Sequence, residues 1–133
     1  MRVILIYLLG LIAANAQLVV TISPPKVAGQ KAIVQLSMRN GFSERIDSAR
    51  AAVFLLDEKG KMVGQATRWV IGGDQDKPGL PAGATNAYHF VIASGKPFTT
   101  TNLTVKVNFS RVVLAGGRVA DVSKSVQIEH ANK

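Results

Sequence analysis

At 133 residues the chain holds one domain and not comfortably two. Leu, Ile, Val and Phe recur too often for disorder, and the absence of cysteine excludes disulfides, thiolate metal sites, thiol catalysis and a lipid-modified cysteine. The formal net charge of +8 favours anionic surroundings, yet the basic residues are scattered and form no arginine-rich arm, so nucleic acid is not an expected partner.

Residues 1–16 read as a secretory signal peptide. Arg2 supplies a short positive start, Val3 to Ala13 is nearly all apolar, and Ala14-Asn15-Ala16 has the A-x-A form of a cleavage site. The apolar run is about a dozen residues, short of the roughly 20 that cross a bilayer. Cleavage after Ala16 is expected to leave an exported domain, residues 17–133, periplasmic or extracellular and with no membrane span.

The exported part reads as strands throughout. Leu18, Val20 and Ile22 share one face of a first strand that Pro24-Pro25 stops, an expected edge strand with amides open to self-pairing. In Lys31–Asn40, Ala32, Val34, Leu36 and Met38 alternate with a polar register in which Ile33 is the apolar exception. Asn40-Gly41 then signals a turn.

Residues 46–71 predict the central hairpin. Ala49, Ala51, Val53 and Leu55 line one face of its first strand. The opposite face starts polar at Ser48 and Arg50 and ends apolar at Phe54 and Leu56. Asp57-Glu58-Lys59-Gly60 makes the turn, with Asp at its first position and glycine free to take positive φ. On the return strand Val63, Gln65, Thr67, Trp69 and Ile71 fall in one register and Gly64, Ala66, Arg68 and Val70 in the other. Periodicity does not decide which of these registers is buried.

Residues 72–84 are rich in glycine, proline and aspartate and predict a surface loop, with Asp74 and Asp76 read as turn residues rather than calcium ligands. In Thr85–Ala93, Tyr88, Phe90 and Ile92 oppose Ala87, His89 and Val91. Leu103, Val105, Val107 and Phe109 then alternate with Thr104, Lys106, Asn108 and Ser110, a strand with one buried and one wet face. The consecutive Val112, Val113 and Leu114 suggest a bulge. A last strand over Arg118–Glu129 has Lys124 intruding on its inward register, which marks either a bulge or an edge guarded by charge, and a polar tail follows from His130. No segment carries helical periodicity, and the turn spacing predicts an all-β fold, an immunoglobulin- or fibronectin-like antiparallel sandwich of about seven strands.

Val53-Phe54-Leu55-Leu56-Asp57 followed by Gly60-Lys61-Met62-Val63 resembles the F-x-L-Y-D segment of a group of bacterial extracytoplasmic immunoglobulin-like domains, with Val53 in place of Phe and Leu56 in place of Tyr. Leu80-Pro81-Ala82-Gly83-Ala84 and Phe90 resemble the same group's turn and buried-Phe strand. The resemblance covers the middle of the chain. It implies export and a sandwich used in recognition or as a structural module, and it implies no catalytic residues.

Catalysis has little to work with. His89 and His130 lack a positioned partner in the sequence pattern and read as surface residues, so no enzyme activity, metal or cofactor is expected. Two surfaces remain. Phe54 and Leu56 form a candidate apolar patch for a partner, unless the strand is buried on both sides. Arg50, Arg68 and Lys106, with Trp69 beside them, form a candidate basic outer face on which a sugar would stack, unless Trp69 fills the core. The first surface predicts a protein-interaction or structural module of the cell envelope, binding another envelope protein or weakly a second copy. The alternative is polyanion or anionic-glycan binding.

Overall fold

In the computed structural model, which describes residues 17–73 and 78–131, the alternating segments become eight strands. These are β1 (Leu18–Ile22), β2 (Lys26–Ala28), β3 (Lys31–Asn40), β4 (Ile46–Leu56), β5 (Met62–Ile71), β6 (Thr85–Ala93), β7 (Thr104–Leu114) and β8 (Val126–His130). They form an all-β sandwich of two sheets. The expected signal segment and the Asp74 and Asp76 positions lie outside the described residues.

The larger sheet is built on β3, which pairs with β6 along one side and with β1 and β2 along the other. Strands β1 and β2 act as a single strand interrupted at Pro24-Pro25, where two missing N–H groups break the ladder. The smaller sheet runs β5-β4-β7, all antiparallel. Their facing surfaces are the predicted apolar registers: Leu18, Val20, Val34, Leu36, Met38, Phe90 and Ile92 from one sheet, Ala49, Ala51, Val53, Leu55, Val105 and Phe109 from the other, joined by Val112. Phe90 is fully buried, so truncating it to Ala falls in the class of core changes that cost about 3–5 kcal/mol.

The end of the chain departs from the expected single strand. Gly116 and Gly117 both adopt positive φ, 85° and 84°, in a tight 3-10 turn at Ala115–Gly117. The chain touches β7 again through a Val113–Val119 bridge and then enters one helical turn, Val122–Ser125. Asp121 caps that turn, accepting from the Ser123 N–H (3.1 Å) and hydroxyl (2.7 Å). The Ser123 hydrogen bonds hold its carboxyl below the usual carboxylate range. Lys124 therefore sits not on a strand but on a helical turn that packs beside β7. The turn carries the chain to the other sheet, where β8 runs parallel to β1, from Leu18–Val126 to Ile22–His130. This places β1 between β3 and β8, an interior strand and not the expected edge. Its amides are not open to another chain.

Bulges correct two registers. β4 pairs Arg50 with Trp69 but Ala49 with Ile71, so Val70 is the extra residue. Ile71, expected to share Trp69's face, is thereby turned into the core. On the other side β4 pairs Ala51 with Phe109 but Arg50 with Arg111, so Ser110 is extra and Val112 is buried. The loop before β6 is pinned by Leu80, which exchanges two 2.9 Å backbone hydrogen bonds with Ile46.

A candidate interaction face on the three-stranded sheet

The inner register of β4 is filled by small and aliphatic side chains, so the pleat sends Arg50, Ala52, Phe54 and Leu56 outward. Pairing then sets their neighbours in rows. Phe54 lies between Gln65 and Lys106, Ala52 between Thr67 and Asn108, and Arg50 between Trp69 and Arg111. Phe54 and Leu56 are half-buried, neither core nor fully open. Arg50, Lys106 and Arg111 are exposed. These three rows carry three cations and no carboxylate; Asp47, in the bulge at the start of β4, is paired with Arg45. Two arginines directly opposite one another repel, an arrangement that an anionic partner would relieve.

Arg111 was not singled out in the sequence. Strict alternation puts Ser110 outward, and only the bulge at Ser110 brings Arg111 to the face. The run Val112-Val113-Leu114 signalled a bulge but not the residue it would re-aim.

Arg68 does not belong to this face. It pairs with Ala51 on the inward register at the open side between β5 and β6. Its guanidinium lies 4.7 Å from the centre of the Phe90 ring and donates to the His89 carbonyl oxygen. Trp69 does lie on the outward register, and it is half-buried rather than part of the core cluster. The turn after β5 explains the covering. Gly73, at φ 71°, lies so close that an added Cβ would stand 2.3 Å from the Trp69 ring. One side of the indole is thus occupied by the loop.

The two histidines part company. His89 is exposed on β6, opposite Gln35. His130 ends β8 rather than opening a tail, and its Nε2 lies 3.0 Å from the Val105 carbonyl oxygen. Two shallow grooves meet at that contact. One, of about 450 Å³, is bordered by Phe54, Lys106, Val107, Asn108 and Ile128. The other, of about 260 Å³, extends past Leu103 to Pro24-Pro25. A separate apolar pair, Ile33 opposite Val91, is exposed on the outside of the larger sheet. Among the described residues no cluster of His, Cys, Asp or Glu is arranged to hold a metal, and no helix is long and apolar enough to cross a membrane.

No protein-family model matches the chain, and no curated protein matches its sequence. Among solved structures, the chain is similar to IrmA from Escherichia coli, with a TM-score of 0.46 and 12% identity, over 88% of this chain and 94% of that one.

Proposed function

We propose that this chain is an exported, non-catalytic interaction module of the cell envelope, periplasmic or released, that binds another protein through the outer face of β5-β4-β7. Its middle segment is read, as part of the same proposal, as a member of the FxLYD-type extracytoplasmic domains. The observation that carries the reading is that face: Phe54 and Leu56 part-exposed beside Lys106, Arg50 and Arg111, with no carboxylate in the rows through Arg50, Ala52 and Phe54. Apolar anchors beside unneutralised cations suit a partner surface that is apolar at its centre and acidic around it. The row Trp69–Arg50–Arg111 favours a second reading, an anionic glycan held by the arginines, although the loop at Gly73 leaves less of the indole for stacking.

A photo-crosslinking residue in place of Thr67, introduced into the exported protein in intact cells, tests the choice. The protein reading expects a discrete protein adduct that disappears with Phe54→Asp. No protein adduct, with retention on an immobilised anionic polysaccharide that falls steeply with salt, would overturn it in favour of the glycan. N-terminal sequencing of the same protein should begin at Gln17, and a chain retaining Met1 would refute export.

A further inference from the structure

The smaller sheet ends at β7, and β7 is only partly covered. Its pairing with β4 places Val105 opposite Leu55, Val107 opposite Val53 and Phe109 opposite Ala51. The Val105 carbonyl is reached by His130 from the side away from β4. In an antiparallel ladder, alternate residues turn both backbone groups to the same side. The N–H and C=O groups of Val105, Val107 and Phe109 therefore line the edge away from β4. Further along, the same edge is covered: Val112 O accepts from Ala120 N at 2.9 Å, and Leu114 N donates to Arg118 O at 2.8 Å. Between His130 and the Arg118–Ala120 segment, the helical turn Val122–Ser125 packs on β7 but gives no backbone hydrogen bond to Val107 or Phe109, and the ladder at Val105 and Val107 opens on the groove of Phe54, Val107 and Ile128.

The cause is the crossing of the chain after β7. In the usual immunoglobulin arrangement the last strand pairs beside the next-to-last. Here β8 pairs with β1, and the position beside β7 is left for a strand from elsewhere. The opposite side of the sandwich shows the contrast, since there Arg68 ties β5 to β6 through the His89 carbonyl and the Phe90 ring.

We propose that the Val105–Phe109 edge takes an extended segment of a partner protein as an added strand, apolar where it faces Ile128 and carrying carboxylates where it runs beside Lys106 and Arg111. This deepens the protein-binding reading and rests on it. The charge of the edge selects the occupant. A second copy of β7 would bring Lys106 and Arg111 against their own kind, which deters self-pairing as edge charges commonly do. An acidic, alternating strand neutralises them. His130 is the provisional cover of the first carbonyl and is displaced when the guest pairs there.

The probe is a blocked nine-residue peptide alternating valine and glutamate, added to the purified protein, with amide hydrogen exchange and labelled-peptide anisotropy as readouts. Saturable binding at or below about 1 mM is expected, with new protection at Val105, Val107 and Phe109. Backbone N-methylation of a central peptide residue should weaken binding by about two- to tenfold, the size of one lost hydrogen bond. Val107→Pro removes an outward N–H without touching the ladder to β4 and should act alike. Should that variant fail to fold, Lys106→Glu with Arg111→Glu alters only exposed side chains and should switch preference to a second blocked peptide of the same length that alternates valine and lysine. No protection at the three amides, indifference to N-methylation, or unchanged preference after charge reversal would overturn the proposal. If the Thr67 crosslink persists while the peptide shows no edge protection, the face binds a partner without strand addition. If both are absent, the protein-binding reading itself falls.

Discussion

Asn40 is the one fully buried polar side chain among the described residues. Its amide donates to the carbonyls of Glu44 and Leu80, each at 2.9 Å, and its oxygen accepts from the Phe42 N–H at 2.8 Å. It thus ties the turn after β3 to the loop that leads into β6. Asn40→Ala would remove all three bonds, leaving the Leu80 carbonyl only the Ile46 N–H, and a loss of about 2–4 kcal/mol in denaturant titration is expected. Asn40→Asp adds a sign. An ionised carboxylate would face two carbonyl oxygens, so its folded pKa is raised. The variant should be more stable below the ordinary carboxylate range and should lose stability as pH rises through it. The turn at Asn40-Gly41 was legible in the sequence because turn chemistry is local. The bond to Leu80 was not, because it joins residues 40 positions apart.

At the scale of the strand, the alternating registers of β3, β4 and β7 were legible, since burial of one face imposes a period of two that any pairing preserves. What periodicity cannot carry is the order of strands and the position of a bulge. A single extra residue moved Ile71 inward and Arg111 outward, and one capped helical turn sent β8 to the other sheet. The candidate basic face was consequently only half legible: Arg50 and Lys106 share it, while Arg68 lies on the far side of its own strand. There Arg68 joins two edges that share no ladder. Arg68→Ala removes the contact with Phe90 and the hydrogen bond to His89, and a loss of about 1 kcal/mol is expected from urea titration. Arg68→Lys should recover only part of this, because an ammonium lacks the planar fork that spans ring and carbonyl. An unchanged urea midpoint for Arg68→Ala would show that the β5–β6 side needs no such tie.

For the whole molecule, charge and edge geometry act together. The net charge of +8 opposes the approach of two copies over a range set by salt, with a Debye length of about 10 Å at 0.1 M and about 3 Å at 1 M. The interior position of β1 removes the pairing surface that the sequence suggested, so Val20→Lys would report damage to the core and not to an interface. Of the apolar surfaces left for self-association, the Phe54 and Leu56 patch lies beside the β7 edge, where Lys106 and Arg111 of each copy would meet. Sedimentation should therefore find a monomer at about 50 mM salt and a weak dimer emerging at about 500 mM, as the repulsion is screened. Phe54→Asp should abolish the dimer, since it places a carboxylate in the only apolar part of that surface. A dimer that weakens with salt would point instead to attraction between unlike charges, which the rows through Arg50, Ala52 and Phe54 do not provide. A monomer at both salts and high concentration would leave the apolar surface to a different protein, in line with the interaction proposed for this face.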